Sequence, residues 1–236
     1  MLPATPRYNG GMSNQAYLSI WCKEFPEEQM MERFAEFLGT VPFSASKPGF
    51  SYLTIRAVDS SESPIFEQDL RAVPLDPAGI IELSRDHLHS DSAYETSAHW
   101  DLWTFEPGSA AGFRNEPQPL DLICNGEDYD NGLWQENGHL QARLGFEQLF
   151  VGQLGLLDTR NGLPDPAESP EEARFLEAMA WPENLEKYQE KTRENIRRLM
   201  EWVRNVEKTF PDGRIRLWSE GEENFEARLE EILAAR

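Results

Sequence analysis

Histidine and carboxylate spacing is where chemistry would first be sought in this chain. His87, His89 and Asp91 fall at alternate positions in the run Asp-His-Leu-His-Ser-Asp. Two imidazoles and a carboxylate at this spacing can present three ligands to a zinc ion and orient a water on it. A second set lies on two segments whose polar and apolar residues alternate. Glu95, His99 and Asp101 share one face of the first, and His139 and Arg143 share one face of the second. If the two strands were neighbours, a histidine and a carboxylate could act as general acid and base, with His99, Asp101, His139 and Arg143 as the candidate group. A third cluster, Glu127, Asp128, Asp130 and Glu136, sits in a turn-rich run and could offer oxygens to a cation or to a basic partner.

Each cluster also has a purely structural reading. His87 and His89 follow a predicted helix, whose negative C-terminal end favours histidine. An antiparallel sheet commonly has one polar, solvated face. Asx and Gly residues favour hairpin tips without any metal. The acidic run misses calcium-loop spacing, because counting from Asp128 Gly132 falls fifth and Glu136 ninth. No glycine-rich phosphate loop, no nucleophile elbow and no Cys-x-x-Cys is present. The sequence therefore assigns no cofactor and no resident metal. Cys22 and Cys124 lie in apolar runs and read as buried, reduced thiols. Trp100, Trp103 and Trp134 could line a pocket but fit a core equally well.

The elements that must position these residues follow from periodicity. Residues 16–22 are apolar on both faces and predict a central strand. A helix opens at Pro26 and buries Met30, Met31, Phe34, Phe37, Leu38 and Val41 before Gly39 and Pro42 end it. Residues 50–58 predict the next strand. Asp76-Pro77 starts a helix running to 88. Residues 94–102, 119–124 and 139–150 predict three further strands in an antiparallel meander. Within the last, Leu140, Ala142, Leu144 and Phe146 share a face, and 125–138 forms the loop before it.

Composition changes after a Gly/Pro/Asp-rich connection at 152–169. Ser169-Pro-Glu-Glu is a capping box for a helix at 171–180. A long amphipathic helix, 183–210, carries Glu183–Lys187 and Glu194–Arg198 at salt-bridge spacing. A short strand at 214–218 leads to a second capping box at Ser219 and a final helix through Phe225, Leu229, Ile232 and Leu233. The expected class is α+β: a mixed or largely antiparallel sheet with an N-terminal β-α-β unit, a central meander and C-terminal helices packed on the sheet. Residues 1–15 read as a flexible arm and 16–236 as one domain, divisible into a sheet-rich 16–150 and a helix-rich 170–236.

The chain has 236 residues and a formal net charge of −20. The window 57–142 holds 17 acidic residues against three basic ones, Arg71, Arg85 and Arg114, and so carries −14 of that total. Such a field repels nucleic-acid phosphates and attracts basic proteins. No secretory leader and no membrane-spanning apolar run is read in the sequence, so a cytoplasmic, bacterial-type protein is expected. The expected function is a non-enzymatic acidic interaction module that binds a basic protein, of the immunity or antitoxin-like inhibitor class. The alternative is a small-ligand-binding or hydrolytic enzyme using one of the His/Asp clusters, metal-dependent or not. The sequence fixes no oligomeric state.

Overall fold

In a computed structural model that describes residues 14–107, 112–152 and 170–234, the chain forms a seven-stranded antiparallel sheet with its longer helices gathered on one face. In chain order the elements are β1 (Gln15–Trp21), α1 (Glu27–Leu38), β2 (Tyr52–Ala57), β3 (Phe66–Asp69), α2 (Pro77–Arg85), β4 (Ser92–Phe105) and β5 (Phe113–Asn125). A 3-10 turn (Tyr129–Asn131) and α3 (Trp134–Asn137) precede β6 (Leu140–Phe146). The chain then forms α4 (Gln148–Val151), α5 (Pro170–Met179), α6 (Pro182–Thr209), β7 (Arg214–Ser219) and α7 (Phe225–Ala234). The spatial order is β3-β2-β4-β5-β6-β1-β7, so β1 is carried by α1 past three strands and inserts between β6 and β7. The α+β class, the opening β-α-β and the β4-β5-β6 meander agree with the sequence.

One face of every long strand is apolar and meets the helices. Leu18 and Ile20 of β1, Leu53 and Ile55 of β2, Leu120 and Leu122 of β5, and Leu140 and Leu144 of β6 are fully buried there. The helical stripe of α1 is the one expected, and in α6 the expected Ile196, Leu199, Val203 and Val206 are joined by Trp202, while Leu185 and Tyr188 of the expected stripe are only partly buried. In α1, Met30, Met31, Phe34, Phe37 and Leu38 are buried. In α6, Ile196, Leu199, Trp202, Val203 and Val206 are buried. Asp76 caps α2 as expected, its Oδ1 accepting from the Gly79 amide at 2.9 Å. The Ser219 hydroxyl accepts the Glu222 amide at 3.1 Å, although the helix itself begins later, at Phe225.

Several expectations need correction. The strand read over 139–150 stops at Phe146, because its pairing with β1 slips by one residue after Arg143 and Gly145 takes a left-handed φ of 90°. The slip turns Phe146 outward, to 44% exposure, and the chain coils into α4, which buries Phe150. The helix read to 88 ends at Arg85. Strand β5 begins at Phe113, six residues earlier than expected, despite Pro117 and Pro119. Its early half pairs only with β4, and the amide positions of both prolines point toward the side that β6 does not reach. Strand β3 was not expected at all: Phe-Glu-Gln-Asp is an exposed edge with no apolar alternation. Glu194 pairs with Lys191 at 2.7 Å, and Arg198 instead reaches Asn115 Oδ1 at 2.8 Å and the Asp101 carbonyl. Of the arm expected at 1–15, Gln15 belongs to β1 and residues 1–13 lie outside the described residues. So do the connection at 153–169 and its capping serine.

Candidate functional site

The face of the sheet away from the helices is polar, and antiparallel register lays its side chains in rows across the strands. One row runs Arg56, Ala93, Asn125. The next runs Thr54, Glu95, Ile123, Gln141, Ser19 and Arg216. A third runs Tyr52, Ser97, Asp121, Arg143, Tyr17 and Trp218. Arg143 bridges two rows, with Nη2 at 3.1 Å from Glu95 and Nη1 at 3.8 Å from Asp121. Tyr17 stacks on Trp218 at 4.4 Å and donates to Glu220 at 2.7 Å. Burial and that carboxylate push its phenol up to about 12.

These rows floor a half-open cavity of about 650 Å³, lined from Arg56 at one end to Trp218 and Glu220 at the other. The volume lies within the usual range of ligand pockets. The 125–139 connection walls one side. It is not a loose hairpin tip. Tyr129, 3% exposed, is its anchor and lines the cavity. Burial raises the Tyr129 phenol first; Arg56 lowers it, and Asp130, Asp59 and Glu95 raise it. Charges on β2, on the connection after it, on the 3-10 turn and on β4 thus act on one hydroxyl.

Three connections are tied together at this end of the sheet. The Val58 amide donates to the Asp91 carbonyl at 2.9 Å, and the Asp130 amide donates to the Val58 carbonyl at 2.8 Å. Ser60 N donates to Asp130 Oδ2, and Ser90 Oγ donates to Asp128 Oδ2 at 2.6 Å. Gly126 lies against the Ser90 carbonyl so closely that a Cβ would stand 2.1 Å from that oxygen. The three non-glycine residues with left-handed φ among the described residues, Val58, Asp130 and Asn131, are all here. For Val58, a β-branched residue, that conformation costs on the order of 1–3 kcal/mol, offset by the bonds that hold it. Together these connections carry Asp59, Glu62, Asp86, Asp91, Glu127, Asp128, Asp130 and Glu136, and no Lys or Arg. The four carboxylates expected as an interaction surface are thus joined by four more.

The histidine candidates do not converge. His139 is 2% exposed at the start of β6, its ring sandwiched between Phe25 at 4.5 Å and Trp134 at 4.2 Å. Its Nδ1 accepts the Cys22 amide at 3.0 Å, so the neutral ring carries its proton on Nε2. Burial lowers its pKa to about 4. Nε2 lies 3.5 Å from Glu127 Oε1 yet makes no hydrogen bond. With the ring neutral, this is proximity rather than an ion pair. His99 lies on β4 opposite Pro119, whereas His139 adjoins Asn125, about six residues or ~20 Å along β5. Burial lowers the His99 pKa as well. Asp101 Oδ2 accepts the Ala45 amide at 3.0 Å. Arg143 alone of this set lines the cavity.

His89 Nδ1 lies 2.9 Å from Asp91 Oδ1, while His87 packs its ring on Phe66 at 5.2 Å. Among the described residues no group of three or more His, Cys, Asp or Glu is placed to hold a metal ion. Burial raises both thiols, Cys22 to about 11 and Cys124 well above the usual thiol range. Trp100 is core, Trp103 carries Lys191 over its ring at 4.0 Å, and Trp134 stacks on His139.

The residues that sequence reasoning passed over are Tyr17, Arg56, Tyr129, Gln141, Trp218 and Glu220. Tyr17, Arg56, Gln141 and Trp218 hold outward positions on strands, which become a site only once register is known, and Tyr129 and Glu220 sit in the connections beside them. Compared with known proteins, the chain matches no family model, no curated protein and no solved structure.

Proposed function

We propose that this chain is a non-enzymatic interaction module that binds a basic protein partner in the cytoplasm, in the manner of an immunity- or antitoxin-type inhibitor. The observation that carries this reading is the acidic end of the sheet. Eight carboxylates lie on three connections that hydrogen bonds tie together, with no Lys or Arg among them. A fixed field of one sign speeds encounter with an oppositely charged partner and loses its effect as salt rises. Fixing the connections in the free protein also lowers the ordering cost of binding. Among the described residues no helix is long and apolar enough to cross a membrane, which fits a partner met in solution.

The test is affinity capture from a lysate of the source cells at about 50 mM salt. Its comparison is a variant with Glu62→Gln, Asp91→Asn, Glu127→Gln and Glu136→Gln, which keeps side-chain size. The wild-type chain is expected to retain a basic protein that elutes as salt rises. The variant is expected to bind it at least about tenfold more weakly. Equal capture by the variant, or retention insensitive to salt, would remove the proposal.

A further inference from the structure

The two nitrogens of the His139 ring face two different parts of the chain. Toward the segment that leaves β1 for α1, Nδ1 accepts the Cys22 amide at 3.0 Å. Toward the 125–139 connection, Nε2 lies 3.5 Å from Glu127 Oε1, buried and without a hydrogen bond. The ring is clamped between Phe25 of the first segment and Trp134 of the second. Trp134 also donates its indole N–H to the Glu127 carbonyl at 3.1 Å, and Trp21 donates to the Gln135 carbonyl at 3.2 Å. Glu127 is thus fixed beside the ring from its own side.

The neutral and the charged ring need different partners. A neutral ring with its proton on Nε2 has one acceptor, and the Cys22 amide uses it. An imidazolium has two donors and no acceptor. Its Nδ1–H would oppose the Cys22 N–H, donor against donor, while its charged Nε2–H has the Glu127 carboxylate within reach. The other groups packed around it carry no charge in acid. Phe25 and Trp134 are neutral, Asn125 of β5 donates its backbone amide to the His139 carbonyl, and burial raises the Cys22 thiol to about 11. Lys23 and Glu24 are exposed. Burial lowers the His139 pKa to about 4, so the bond to Cys22 is kept at neutral pH and lost as pH falls toward that value.

We infer that His139 is a two-position switch: neutral, it ties the 22–25 segment to the sheet, and protonated, it releases Cys22 and closes on Glu127. The segment after β1 is the part that moves, because Glu127 is held through Trp134. A cavity of about 240 Å³ beside Cys22, lined also by Arg33 and Phe210, gives that segment room. The acidic end keeps its place but turns one carboxylate inward onto the ring. The device does not depend on what the chain binds.

The test reads the two cysteines. Cys22 is half-buried in the moving segment and Cys124 is fully buried in β5, so local release and global unfolding expose different thiols. Labelling by 4,4′-dithiodipyridine, which reacts in acid, is followed from about pH 7 to about pH 4, with the His139 Cε1 proton followed by NMR in parallel. As the ring gains its proton, Cys22 is expected to label at least about tenfold faster than a small-molecule thiol control would predict, while Cys124 stays unlabelled. His139→Gln can still accept the Cys22 amide but takes no proton, and is expected to remove the acceleration. Glu127→Gln is expected to move the ring's titration to lower pH. If the glutamine variant at 139 does not fold, the coincidence of the ring titration and the Cys22 labelling curve in the wild type decides. The inference is overturned if the ring titrates with Cys22 labelling unchanged, if Cys22 and Cys124 label together, if His139→Gln keeps the acceleration, if Glu127→Gln leaves the titration in place, or if the ring stays neutral throughout.

Discussion

On the face of the sheet that the helices cover, Trp100 meets Trp202 at 5.7 Å and Phe150 at 5.8 Å, and Asn195 bonds the Trp103 backbone and the Leu149 carbonyl. On the open face, Arg56 and the Tyr129 hydroxyl have no partner among the described residues, and Val58 is held in a left-handed conformation. The first face packs its side chains on one another out of water, even leaving the Trp100 indole N–H buried without a partner. The second keeps donors, carboxylates and strain available. The contrast teaches that stability and recognition occupy opposite sides of one sheet, so substitutions on the two faces should separate into distinct classes.

The largest effect expected from that separation is in the covered face. Trp100→Ala empties a site that is 2% exposed and should cost about 3–5 kcal/mol of unfolding free energy in urea. A cost under about 1 kcal/mol would break the contrast from the core side.

A smaller effect comes from His139, which looks like an open-face histidine in the sequence but is buried at the sheet's end. Its folded pKa of about 4 lies below the unfolded value of 6.5. Stability from the neutral ring is therefore fully present above pH 6.5 and is lost as pH falls toward 4. Between pH 7 and pH 5 the wild type should lose about 2 kcal/mol more than His139→Gln. Equal losses would show that the ring is not held neutral.

The smallest effect is expected at the centre of the open face. Glu95→Gln breaks an ion pair with Arg143 in which the two side chains are 30% and 39% exposed, and should change stability by less than about 1 kcal/mol. A larger loss would mean that the open face also holds the fold together.

Local signals in the sequence were read well, and long-range ones were not. The apolar stripes of α1 and α6 and the Asp76 cap are written within single helices, so their spacing suffices to locate them. The strands of the meander show the same alternation. Strand β3 carries no such signal, because an exposed edge need not alternate. The slip in pairing after Arg143 is set by β1, more than a hundred residues away in the chain, and so Phe146 was placed on the wrong face. The candidate site suffered most. Tyr17 and Glu220 are 203 residues apart and meet only because β1 inserts beside β7. His99 and His139 share a period-2 pattern but are separated along the strand by a register that the pattern does not contain. The acidic window was legible as charge. That part of it meets at one end of the sheet was not, since this depends on backbone hydrogen bonds among three separate connections.

The most direct measurement is amide hydrogen exchange on the chain alone and bound to its captured basic partner. The account predicts new protection at 58–62 and 126–137, with little change in α1, α2 and α6. Protection concentrated on those helices, with the acidic end and the open face exchanging as in the free chain, would contradict it.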